Sequence, residues 1–188
     1  MGHIEKAIEL NPNNFECHRM LAEVFLAMHD FSLALEHSQE AVSINPNDPR
    51  VLSIFGELLV KTGSIDEGIK CLQKAFDLDP ISQGQTNSDK RVAALFTAYM
   101  LAGDEESCAS IFRKIRLPRI ETWLLQVHLA GQQEENFSDS PWYREGLGRY
   151  RHSDWPMEID RFHLNNPDLD ARLKRDVERF VTTGMPVA

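Results

Sequence analysis

Glu5-Lys6-Ala7-Ile8-Glu9-Leu10-Asn11-Pro12 returns 34 residues later as Gln39-Glu40-Ala41-Val42-Ser43-Ile44-Asn45-Pro46, and 34 residues after that as Gln73-Lys74-Ala75-Phe76-Asp77-Leu78-Asp79-Pro80. Ala7, Ala41 and Ala75 align, as do Leu10, Ile44 and Leu78, and Pro12, Pro46 and Pro80. One such coincidence could arise by chance. Three aligned triplets, with matching helical patterns between them, mark an internal repeat. The expectation is therefore a stack of small units and not one closed core. Each closing proline stops a helix, because it has no amide hydrogen to donate and clashes with the preceding turn.

Each unit holds two helical stretches. In the first, apolar residues at helical spacing (Leu21, Ala22, Phe25, Leu26) predict a helix over about residues 14–28. His29-Asp30 breaks the pattern. A second helix over 31–44 turns Leu33, Ala34, Ser38 and Ala41 toward its partner. The next unit repeats this with Phe55, Gly56 and Leu59, a break at Thr62-Gly63-Ser64, and then Ile65, Gly68, Leu72 and Ala75. Gly63 suits the left-handed residue that ends many helices. Asn47 and Asp48 offer oxygens to cap the helix that follows. A glycine inside a helix costs about 1 kcal/mol relative to alanine, so Gly56 and Gly68 need a packing reason. With Ala22 and Ala34 in the first unit, they predict close backbone approach where paired helices cross.

These residues resemble the tetratricopeptide repeat family, in which small residues at the helix crossing and a proline after the second helix define the unit. Leu21-Ala22, Phe25, Ala34, Ala41 and Pro46 carry the likeness in one unit, and Phe55-Gly56, Leu59, Gly68, Ala75 and Pro80 in the next. His18 departs from it, standing where a large apolar residue is common; Leu52 holds the equivalent place. The resemblance spans about residues 4–80. It implies an all-α fold, a right-handed α-solenoid of antiparallel helix pairs, with first-helix side chains lining a concave face.

The expected organisation is a remnant second helix of an upstream repeat at 1–12, two well-formed units at 13–80, degenerate repeat-like helices at 81–131, and an irregular helical segment with a capping helix at 132–188. Residues 81–88 are polar and read as a lengthened loop. A helix resumes near Asp89 with Val92, Leu95, Phe96 and Tyr99, six residues late against the strict register. Ala102-Gly103-Asp104 is a turn, and Cys108, Ile111, Phe112 and Ile115 form the next helix. Phe96 and Cys108 occupy the crossing positions, so packing must differ there. A further helix at 119–130 carries Ile120, Trp123, Leu124 and Val127, and 131–140 is a polar loop. Two short helices, near 143–150 and 156–162, are expected next. Trp123, Trp142 and Trp155 either fill this irregular core or line a peptide pocket; the core is favoured. Asn166-Pro167-Asp168 starts a final helix whose apolar stripe is Leu169, Leu173, Val177, Phe180 and Val181. That tail is also weakly similar to the C-terminal tetratricopeptide segments of bacterial regulators such as nucleotide cyclases.

Composition sets limits on function. The net charge of −9 lies within residues 1–140, which hold 12 basic and 21 acidic residues; residues 141–188 hold 8 of each. An acidic repeat region argues against nucleic acid, whose phosphates need a basic stripe. No apolar run approaches the ~18 residues that span a bilayer, and the polar start is no signal peptide; a cytoplasmic protein is expected. Cys17, Cys71 and Cys108, odd in number and far apart, read as reduced, buried thiols. The seven histidines make no metal motif: Cys17 and His18 are adjacent and diverge on a helix. His18 reads as a packed or rim histidine and His29 as a turn residue. Gly146-Leu147-Gly148 lacks the context of a phosphate loop. No catalytic residues, metal ligands or cofactor site are expected.

By the family resemblance, the concave face should present Glu16, Arg19, Glu23 and Ala27 from one first helix, Arg50, Ser53, Glu57 and Lys61 from the next, and Lys90 and Ala94 from the third. Some family members grip the carboxylate ends of chaperone tails there with Lys, Asn and Arg. Glu23, Ile54 and Ala94 stand where three of those contacts would be, which argues against chaperone tails. The expected function is a non-catalytic interaction or scaffold module that binds a protein or peptide segment in its groove. Two alternatives stand: a regulatory segment of a larger signalling enzyme of the nucleotide-cyclase kind, or a self-association domain. The opening helix has no partner before it, so the chain is expected to be cut from a longer protein. It would leave Ile4, Ala7 and Ile8 as an exposed stripe through which copies could associate.

Overall fold

The computed structural model describes residues 2–80, 85–113, 120–132, 139–149 and 167–183. All regular structure among them is helical: α1 (Gly2–Leu10), α2 (Phe15–Ala27), α3 (Phe31–Ile44), α4 (Pro49–Lys61), α5 (Ile65–Leu78), α6 (Gln85–Ala102), α7 (Glu105–Phe112), α8 (Ile120–Gln132), α9 (Pro141–Arg149) and α10 (Pro167–Thr183). The chain divides into two compact units, Met1–Lys114 and Ile115–Ala188. Helix α8 lies in the second, although sequence spacing groups it with the degenerate repeats.

The first unit is an α-solenoid built from helix pairs, with α2 on α3, α4 on α5, and α6 on α7. The first helices of successive pairs also touch, α2 with α4 and α4 with α6. Capping explains where α2, α3, α4 and α7 start. Asn14, Asp30, Asp48 and Asp104 each place a side-chain oxygen on amides of the first turn. Asp48 caps two amides, those of Arg50 and Val51, and Pro49 follows it at the first helical position. The turns within pairs use a left-handed residue: Gly63 at φ 95°, Gly103 at φ 73°, and His29 at φ 60° in the first pair.

The helix crossings are as close as the small residues predict. A Cβ on Gly56 would lie 3.0 Å from the Gly68 carbonyl oxygen, and one on Gly68 would lie 2.8 Å from the Gly56 carbonyl oxygen. Ala22 and Ala34 are fully buried at the equivalent crossing of the first pair. Around it, Leu21, Phe25, Ile54 and Leu58 form a core that joins the first two pairs. Each such buried side chain is worth about 1.5–3 kcal/mol relative to exposure.

Several expectations are corrected. Leu33 does not face its partner helix and is 37% exposed. Residues 85–88 belong to the start of α6 instead of a loop. Once the buried face from Arg91 to Phe96 has nucleated that helix, adding residues at its end costs little. Ile4 and Ile8 are not an open stripe: they are partly buried and packed against the Leu21–Phe25 core. Cys108 is buried, but Cys17 and Cys71 are only half-buried; all three are free thiols. Burial pushes the Cys108 thiol up to about 12.

In the second unit, Trp123 is fully buried. Its ring stacks on Tyr143 at 5.8 Å, and its indole nitrogen donates to the Trp142 carbonyl at 3.2 Å. Gly146 allows this: a Cβ there would sit 2.0 Å from the Trp123 indole nitrogen. Two of the three tryptophans thus belong to this contact, and Trp155 lies outside the described residues. Burial alone pushes the Tyr143 phenol up to about 12. Of the stripe expected on α10, Leu173 is buried at 2% exposure; Leu169, Val177, Phe180 and Val181 lie outside the described side chains. The short helix expected near 156–162 also lies outside the described residues.

Candidate functional site

Because α2, α4 and α6 lie side by side, residues at one repeat position line up across them. The result is a groove with a cavity of about 310 Å³, lined by Arg19, Glu23, Arg50, Ser53, Ile54, Glu57, Lys90, Arg91 and Ala94. Seven of the ten residues expected on the concave face are among them: Arg19, Glu23, Arg50, Ser53, Glu57, Lys90 and Ala94; Ala27 is not. Glu16 stands behind the lining and holds it in place. Lys61, in the last turn of α4, is not part of the lining.

The floor is an ion-pair ladder. Glu16 receives two hydrogen bonds from Arg19, from Nε at 3.2 Å and from Nη2 at 2.7 Å. Arg19 Nη1 reaches Glu23 at 2.7 Å. Arg50 Nη1 reaches back to Glu16 at 3.2 Å, bridging two repeats, and its Nη2 donates to Asp48 at 2.9 Å. Hydrogen bonding from Arg19 is the main reason that the Glu16 carboxyl is held below its ordinary range. Burial works against the Asp48 carboxylate, but the Arg50 side chain and the amides of Arg50 and Val51 together outweigh it and hold its pKa down. The arginines gain correspondingly: the bond to Glu16 raises Arg19, and the bond to Asp48 raises Arg50. The ladder is preorganised and nearly charge-balanced.

Arg91 joins the site without a signal in the sequence. It is 5% exposed, donates to the Ala75 carbonyl at 3.1 Å, and pairs with Asp79 at 2.7 Å. It thereby ties the end of α5 to α6 and walls the groove. Its neighbour Lys90 is exposed. Next to the groove, His18 is buried, the packed one of its two expected placements. Its Nε2 lies 3.2 Å from the Pro12 carbonyl and its Nδ1 lies 3.2 Å from His37 Nδ1. His37 in turn stacks on Phe25 at 5.5 Å. Among the described residues no three His, Cys, Asp or Glu side chains converge as metal ligands. No described helix is long and apolar enough to cross a membrane.

Tetratricopeptide repeat models match residues 3–36 and 49–82. The chain therefore carries two tetratricopeptide repeats. It is 31% identical over 77 residues to Hsp70-Hsp90 organizing protein 3 of Arabidopsis thaliana, a stretch that is 41% of this chain and 14% of that protein. Small glutamine-rich tetratricopeptide repeat-containing protein 2 of Mycosarcoma maydis is 30% identical over 78 residues, 42% of this chain and 22% of that protein. The chain thus spans a minor part of these relatives. Among solved structures, MamA is similar with a TM-score of 0.63 at 15% identity, over 78% of this chain and 84% of that one. The pilF protein of Pseudomonas aeruginosa is similar with a TM-score of 0.65 at 17% identity, over 96% of this chain and 82% of that one. At these identities the likeness concerns the fold alone.

Proposed function

We propose that this chain is a non-catalytic protein-interaction module whose groove across α2, α4 and α6 takes a segment of a partner protein. The observation that carries this reading is the cavity itself, lined by the first helices of three successive pairs and floored by fixed charges. Preorganised charges raise specificity because the entropy of ordering them is spent in folding and not in binding. The likeness to a protein named as organizing Hsp70 and Hsp90, by its name one that works on other proteins, supports the same class of function.

The direct test is affinity capture with the full chain, comparing the unaltered protein with a variant carrying Arg19→Glu, Arg50→Glu and Lys90→Glu. Circular dichroism checks that the variant keeps its helices. Loss of specific partners from the folded variant is the expected result. Unchanged recovery of those partners would place binding elsewhere on the protein and end this reading.

A further inference from the structure

The groove carries two signs of charge at two levels. Arg50 lies in the first turn of α4, and Lys90 takes the equivalent place on α6 once the six extra residues of that repeat are counted. Glu57 lies seven residues beyond Arg50, and Glu23 is its equivalent 34 residues earlier on α2. Seven residues of helix rise about 10 Å. On α4 and α6 the cations Arg50 and Lys90 therefore stand at one level, where α2 carries Glu16, which with Asp48 already engages Arg50; on α2 and α4 the carboxylates Glu23 and Glu57 stand about two turns further along.

The two levels are not equally open. Arg19, between them, is closed: Glu16 and Glu23 occupy its guanidinium, and its side chain is 12% exposed. A ligand carboxylate reaches it only by displacing them. Lys90 is exposed and makes no ion pair among the described residues. The Glu23 side chain is 54% exposed despite its bond to Arg19. A wholly acidic segment would bring its charges against Glu23 and Glu57, and a wholly basic one against Lys90 and Arg50. Like charges at close range are a strong device against wrong partners.

We infer that the groove selects a protein segment bearing one acidic and one basic residue about 10 Å apart, the acid at the Lys90 level and the base at the Glu23–Glu57 level. In an extended segment this is a spacing of three residues, at about 3.3–3.6 Å each. The inference rests on the groove being the binding surface.

The test uses the full chain on an array of immobilised dodecapeptides with neutral backgrounds. The classes carry Glu-x-x-Lys, Lys-x-x-Glu, adjacent Glu-Lys, Glu-x-x-Glu or Lys-x-x-Lys. The mixed classes at three-residue spacing should bind best. Lys90→Glu should weaken them by up to about fivefold, the worth of one exposed charge pair, and shift preference toward Lys-x-x-Lys. Equal or better binding of the acidic class, an unchanged ranking in Lys90→Glu, or no binding by any class overturns the inference. Ala94→Trp, which fills the groove, separates the two levels of argument. If it abolishes binding that ignores charge pattern, the groove reading stands and the inference falls. If mixed-class binding persists in it, the groove reading itself falls.

Discussion

The second and third helix pairs share a topology and solve the same crossing in opposite ways. Where α4 meets α5, two glycines face each other and each would drive a Cβ into the other's carbonyl oxygen, at 3.0 and 2.8 Å. Where α6 meets α7, Phe96 and Cys108 take those places, both fully buried. The Cys108 sulfur sits 3.7 Å from the Phe96 carbonyl oxygen, and the Phe96 ring tilts against Phe112 at 5.6 Å. The fold therefore requires a filled crossing, not a small one. Backbone can fill it by direct approach, or larger side chains can, here Phe96 together with Cys108. The glycine solution is visible in sequence, as a residue that a helix would otherwise avoid. The aromatic solution is indistinguishable in sequence from any other core phenylalanine.

The sharpest way to break this comparison is to empty the third crossing. Phe96→Ala removes a fully buried ring and should cost about 3–5 kcal/mol. The urea midpoint should fall with little change in slope. Hydrogen exchange should show the loosening centred on α6 and α7, since repeat stability is a sum over neighbours. A cost below about 1 kcal/mol would mean that this pair does not depend on its ring.

Gly68→Ala probes the other solution. Helix propensity alone favours the change by about 1 kcal/mol. The new Cβ would, however, lie 2.5 Å from Val60 Cγ2 and 2.8 Å from the Gly56 carbonyl oxygen, and the second of these is backbone. Overpacking of this kind costs about 1–3 kcal/mol, so the net effect should be destabilising. A more stable Gly68→Ala variant would show that the crossing is looser than the structure has it. Chemical denaturation under the conditions used for Phe96→Ala orders the two effects.

How far the sequence could be read follows from the same contrast. The 34-residue register, the cap at Asp48, and the groove residues Arg19, Arg50 and Lys90 all depend on local rules or on the repeat itself. The Glu16–Arg50 bridge is legible in principle, because residues 34 apart occupy the same place on adjacent helices. Only the asymmetry of charge at that position, Glu in one repeat and Arg in the next, signals it. Arg91 is not legible. An arginine beside Lys90 at the start of a helix reads as solvated, and its burial depends on the Ala75 carbonyl, which also accepts from the Asp79 amide, and on the Asp79 carboxylate meeting it across the pair boundary. The start of α6 is hidden for a related reason: polar residues extend a helix that is nucleated elsewhere by burial. The irregular C-terminal helices have no repeat to align against, so nothing in the sequence announces the Trp123–Gly146 contact.

The smallest expected effect separates the first pair from the second by pH. His18 and His37 face each other through Nδ1 atoms 3.2 Å apart, and His18 Nε2 donates to the Pro12 carbonyl. His18 Nδ1 then accepts, and His37 Nδ1 donates to it. Protonating both rings would set two N–H groups against each other. Burial, followed by the charge of His18, lowers the His37 pKa from its ordinary 6.5, against weaker opposition from Glu36 and Glu40. A histidine whose folded pKa is depressed binds its proton more readily when unfolded, so its contribution is full above about pH 6.5 and declines as pH falls through the folded pKa. The loss should be modest, because His37 remains partly open to solvent. The second pair has Leu52 and Cys71 at the equivalent places, and burial raises the Cys71 thiol, which keeps it neutral throughout this range. On lowering pH from 8 to 5, amide exchange corrected for its intrinsic rate should quicken in α2 and α3 before α4 and α5. Transplanting the second pair's residues, His18→Leu with His37→Cys, should make the two pairs respond alike. If the difference survives that exchange, the histidine pair is not its source.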